Sequence, residues 1–106
     1  MSMMFADIRG STALSEQMST TQFSQLINRF YVEATNAIVH EDGLVEKLAG
    51  DAIAAFWGSG IAGPKYVART IHAAQIIQKI MNQEKIPVGI VHAGVAFRKP
   101  WSARAY

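Results

Sequence analysis

The chain has 106 residues and a formal net charge of +2; half of its residues are apolar and 17% are charged, a balance that excludes a disordered chain. It contains no cysteine, which excludes disulfides and thiolate metal ligands. Arg98, Lys99 and Arg104 supply the basic excess, leaving residues 1–97 with seven basic against eight acidic side chains, so no nucleic-acid surface is expected.

No apolar run reaches the roughly 18 residues that a membrane helix needs. The start, Met1-Ser2-Met3-Met4, lacks the basic and long apolar regions of a signal peptide. A cytoplasmic domain without a membrane segment is the expectation.

In chain order, residues 3–8 form a short apolar run that predicts a buried strand. Gly10-Ser11-Thr12 predicts a turn, with Ser11 or Thr12 capping a short helical turn through Glu16. Ser19 and Gln22 have the spacing of a capping box. Behind them Phe23, Leu26, Ile27, Phe30, Tyr31, Ala34, Ala37 and Ile38 recur at helical spacing, so a helix is expected to about Glu41. Gly43 suits a left-handed stop.

Residues 44–48 predict a second strand, Ala49-Gly50 a tight reversal, and residues 51–57 a third strand buried on both faces. Residues 58–63 read as a loop, and Pro64 suits the first turn of another helix. That helix is expected to bury Val67, Ile71, Ala74, Ile77 or Gln78, and Met81. Pro87 then opens a strand over 88–96. The order predicts an α/β (α+β) ferredoxin-like βαββαβ sandwich with an antiparallel sheet.

In that topology the first and third strands are central neighbours, which brings Asp7, near the end of one, beside Asp51, at the start of the other. Taken singly, Asp7 reads as a turn-capping aspartate and Asp51 as a hairpin residue. Together they read as a carboxylate pair, which needs a cation or a proton between its members. Two divalent metals bridged by carboxylates are a common solution for in-line phosphoryl chemistry.

Phe5-Ala6-Asp7-Ile8-Arg9-Gly10-Ser11-Thr12 and Lys47-Leu48-Ala49-Gly50-Asp51-Ala52 resemble the two metal-site signatures of the class III adenylate/guanylate cyclase catalytic domain. The resemblance covers residues 3–97, and it implies a partial cyclase domain over 1–97 with a non-family tail over 98–106. It also implies that Asp7, Asp51 and the Ile8 carbonyl hold two Mg2+ or Mn2+ ions. Gly10, Ser11 and Thr12 would cradle the triphosphate.

Lys47 stands where the family selects its purine, and lysine there favours ATP over GTP. Glu46 is adjacent, and a shift of one residue would reverse that choice; the Gly50-Asp51 anchor puts Lys47 in place. The implied reaction converts ATP to cyclic AMP and pyrophosphate at the interface of a homodimer, or of a dimer with a complete cyclase domain. The second purine contact and the Asn/Arg pair of the family's second half are not in this sequence. Little or no activity is therefore expected of this chain alone, and a non-catalytic remnant that dimerises or binds nucleotide is the alternative.

A rival from another class is a dinucleotide-binding turn, since Gly58, Gly60 and Gly63 match G-x-G-x-x-G. The strand that follows has no acidic residue to close such a site, and Pro64 disturbs the start of its helix. His40, His72 and His92 share no ligand spacing and read as surface or packed residues. Arg9 reads as a solvated turn arginine within reach of a phosphate.

Overall fold

A computed structural model describes residues 1–94, without the side chains of Lys47, Ala49, Ile61, Ala62 and residues 91–94. The tail expected over 98–106, and the end of the strand expected over 88–96, lie outside the described residues. The elements are β1 (Ser2–Ile8), α1 (Ser11–Gln17), α2 (Thr20–His40), β2 (Leu44–Ala49), β3 (Ala52–Trp57), α3 (Ser59–Ala62), α4 (Tyr66–Gln83) and β4 (Val88–Gly94). The sheet order is β2-β3-β1-β4, and each neighbouring pair is antiparallel. This is the expected α+β sandwich, with α1 and α3 as short additions.

Side chains along β1 alternate: Ser2, Met4, Ala6 and Ile8 are buried, while Phe5 and Asp7 are exposed. The period of two gives one face to the helices and one to the open side of the sheet. β3 follows the same rule, with Ile53, Ala55 and Trp57 buried and the alternate residues only half-covered. The expectation that this strand is buried on both faces is therefore corrected. An antiparallel sheet roofed by helices on one side leaves the other side open.

The capping box at the start of α2 is present, Ser19 Oγ accepting from the Gln22 N–H and Gln22 Oε1 from the Ser19 N–H, both at 3.1 Å. The helix buries Phe30, Ala34, Ala37 and Ile38, while Phe23, Leu26, Ile27 and Tyr31 are half-buried. Its end differs from expectation. Asp42, not Gly43, takes the left-handed conformation at φ 64°. The Gly43 N–H returns to the Ile38 carbonyl at 2.8 Å, and that of Asp42 to Val39 at 3.0 Å, which is a Schellman closure. Gly43 is needed for room: a Cβ there would come within 2.8 Å of Trp57 Nε1. The same Trp57 N–H donates to the Glu41 carbonyl at 3.0 Å.

On α4 the buried face is Thr70, Ala73, Ile77 and Met81, rotated from the expected one. Val67 and Ala74 are half-buried, and Ile71 is exposed. Thr70 can face inward because its hydroxyl donates to the Tyr66 carbonyl at 2.9 Å, so no polar group is stranded. Pro64 lies ahead of the helix, whose N-cap is Lys65. The two long helices are also joined by charge. The buried Glu41 carboxylate lies 2.7 Å from His72 Nδ1 and 3.6 Å from Arg69 Nη1, which gives His72 a partner that its spacing does not announce.

Candidate functional site

Three strand ends meet where the first motif leaves the sheet. Asp7 is the Cα partner of Ala52 on β3 and of Gly89 on β4. Beyond it, the Ile8 N–H donates to the Asp51 carbonyl at 3.1 Å, and the Arg9 N–H to the Pro87 carbonyl at 2.7 Å. The expected reversal at Ala49-Gly50 is displaced by one residue. Ala49 still pairs with Ala52, so Gly50 and Asp51 form the turn, with Gly50 at φ 59°. A left-handed residue there closes the hairpin tightly and leaves Asp51 just outside β3.

The expected cap at Ser11 or Thr12 is corrected. Gly10, at φ 66°, is the N-cap of α1 and no side chain caps it. The Ser11 hydroxyl instead donates to Asp51 Oδ2, tying α1 to the β2–β3 turn. Tyr31, read from the sequence as one more apolar position on α2, donates its hydroxyl to the Gly50 carbonyl. Its position at the half-buried edge of the apolar stripe was the only signal available.

These contacts wall an open groove of about 780 Å³, lined by Ser11, Thr12 and Ser15 of α1, Phe23, Ile27 and Tyr31 of α2, and Gly50 and Asp51 of the turn, among others. Asp7 is not among the lining residues and lies on the open face of the sheet. Its side chain is 57% exposed, with Oδ1 3.9 Å from Arg9 Nε. The backbones that carry the two aspartates are thus adjacent, and each carboxylate has a partner of its own. Among the described residues, no three His, Asp or Glu side chains form a group that could hold a metal.

Lys47 lies on β2 opposite Ala54, and its side chain is outside the described residues. The register shifts between Val45, opposite Ala55, and Lys47. Glu46 is therefore an unpaired bulge residue. The rival glycine motif does not open a long helix. Ser59–Ala62 forms the four-residue α3, and a Cβ on Gly58 or Gly60 would meet nothing within 4 Å. β3 and β4 are separated by β1, unlike the adjacent parallel strands of a dinucleotide fold.

No protein-family model matches the chain. Over 83 residues, 78% of its length, the chain is 30% identical to the adenylate cyclase of Anabaena cylindrica, of which it spans 16%. Its fold matches that of a bacterial light-regulated adenylyl cyclase with a TM-score of 0.77 at 20% identity, over 86% of this chain and 50% of that one. The chain is a class III nucleotidyl cyclase-type domain. The cyclase fold by itself does not choose a purine. A guanylate cyclase domain from Catenaria anguillulae, solved in complex with GTP, matches equally well, with a TM-score of 0.77 at 21% identity over 86% of this chain and 53% of that one. This cyclase-type chain spans about half the length of those structures and no more than about a sixth of the curated relatives' lengths. No helix among its described residues is long and apolar enough to cross a membrane.

Proposed function

We propose that the chain carries the cation- and triphosphate-binding part of an adenylate-type cyclase site, which converts ATP to cyclic AMP and pyrophosphate. The observation that carries this reading is the Ile8 N–H to Asp51 carbonyl bond at 3.1 Å. Within a cyclase fold, it joins the two segments that resemble the family's metal-site signatures.

The donor set suits the expected cations in kind. Asp7, Asp51 and the Ile8 carbonyl offer only oxygen, which hard divalent ions such as Mg2+ and Mn2+ prefer to nitrogen or sulfur. When bound, such cations supply neutralisation of phosphate charge and acidification of the attacking hydroxyl. The chain's own part is to hold and align. Asp7, now beside Arg9, and Asp51, now bonded to the Ser11 hydroxyl, would hold the cations. The backbone of Gly10, Ser11 and Thr12 would lie along the triphosphate.

The ribose 3′-oxygen attacks the α-phosphorus, the bond to the β-phosphate oxygen breaks, and pyrophosphate departs. The proton of the 3′-hydroxyl passes to water or to the departing pyrophosphate. In a head-to-tail dimer the adenine N1 accepts from Lys47 of the partner subunit, which favours ATP over GTP.

Titration of Mn2+–ATP into wild type and Asp51→Ala tests the assignment. The variant is expected to lose at least about tenfold in affinity, as for a charged contact. Equal affinities would remove the metal-site reading.

A further inference from the structure

We propose that Arg9 is a triphosphate-recognising residue of this site, seated over Gly89 beside Asp7; the proposal rests on the nucleotide-binding reading above and deepens it. The seat is specific. Gly89 is the Cα partner of Asp7 on β4, and a Cβ built on it would overlap Nε, Cζ and Nη2 of Arg9. The guanidinium therefore occupies the space where a side chain of residue 89 would begin. Its main chain is fixed as well, the Arg9 N–H donating to the Pro87 carbonyl at 2.7 Å.

Stability does not account for this arrangement. The Arg9 side chain is 68% exposed, and Nε lies 3.9 Å from Asp7 Oδ1. That distance is too long for a hydrogen bond, and an ion pair so exposed contributes little. The side chain is thus open to a ligand, and Arg9 directly precedes Gly10, the N-cap of α1. A planar fork of donors with a permanent charge matches pairs of phosphate oxygens better than any other side chain. A polyphosphate that brings its cation to Asp7 would meet that fork at the adjacent position.

The competing role, simple neutralisation of Asp7 while no cation is bound, makes the opposite prediction. Removing a mere neutraliser would strengthen both Mn2+ and Mn2+–triphosphate binding. Removing a triphosphate ligand would weaken only the second.

The experiment titrates the full 106-residue chain with Mn2+ alone and with Mn2+ plus inorganic triphosphate, for wild type, Arg9→Gln, Arg9→Lys and Gly89→Ala. Arg9→Gln is expected to weaken triphosphate binding by about tenfold or more and to leave Mn2+ binding unchanged or tighter. Arg9→Lys should recover part of the loss. Gly89→Ala should reproduce the loss with Arg9 intact, and combining it with Arg9→Gln should add nothing further. Triphosphate binding by Arg9→Gln at wild-type strength or above would overturn the proposal. If that binding is still lost in Asp51→Ala, Arg9 alone is misassigned. A wild-type chain that takes up neither Mn2+ nor Mn2+–triphosphate would overturn the nucleotide reading, and this proposal with it.

Discussion

The Ser11 hydroxyl donates a hydrogen bond to Oδ2 of Asp51, 40 residues away in the chain. It links the first turn of α1 to the β2–β3 turn, and its acceptor belongs to a carboxylate proposed above as a cation ligand. A cation that takes this oxygen competes with the Ser11 hydroxyl for it. The net worth of the bond is of the order of 1 kcal/mol, so Ser11→Ala is expected to raise Mn2+ affinity by about fivefold. Mn2+ titration followed by electron paramagnetic resonance would measure the change, and an unaltered affinity would show that Asp51 does not have to leave Ser11.

Lys47→Glu is expected to reverse the purine preference, because a carboxylate accepts from the guanine N–H groups where an ammonium donates to adenine N1. Competition between ATP and GTP for Mn2+-loaded protein reads the ratio directly. A ratio unmoved by the substitution would take Lys47 out of the site.

Gly43→Ala is expected to destabilise the fold by about 1–3 kcal/mol, the usual cost of forcing atoms into a filled space. The Cβ would press on the indole of Trp57, which is fully buried. Urea denaturation of Gly43→Ala, Trp57→Phe and the double variant provides the check. The smaller ring should absorb part of the loss, and strict additivity would show that the two residues do not compete for space.

Ser19→Ala removes one half of the capping box on α2. It is expected to cost about 1 kcal/mol, with Gln22→Ala costing less because ordering the longer Gln22 side chain loses more rotamer freedom. Thermal melts followed by far-ultraviolet dichroism would detect both, and no change for Ser19→Ala would mean the capping bonds add nothing measurable.

The strand and helix order was legible in the sequence because short apolar runs bounded by turn residues alternate with longer stretches of 3.6-residue spacing. The N-terminus of α2 was legible because Ser19 and Gln22 satisfy each other locally, without help from the rest of the chain. Its C-terminus was not. Asp42 is the left-handed residue, and Gly43 serves instead to leave room for the indole of Trp57, 14 residues further along. The inward face of α4 was misjudged for a related reason. Periodicity ranks residues by polarity and cannot see that Thr70 satisfies its hydroxyl one turn back, at Tyr66.

At the site, the adjacency of the segments bearing Asp7 and Asp51 followed from topology alone. The partners of their carboxylates did not. Spacing alone makes Ser11 a cap and Arg9 a solvated turn residue. Gly89 was read only as part of a strand, although its missing side chain is what gives Arg9 a seat. Tyr31 has the spacing of an apolar position on α2. Each of these residues acts through a contact with a distant segment, and spacing along the chain does not encode such contacts.

Glu46 is the one residue between Val45 and Lys47 that the edge strand does not pair. If it is deleted, Lys47 keeps its place opposite Ala54 and the ladder becomes regular. If Lys47 is deleted instead, Glu46 slides into that place. The loss of a single codon, with no substitution anywhere, is thus enough to exchange a cation for an anion at one rung of the ladder.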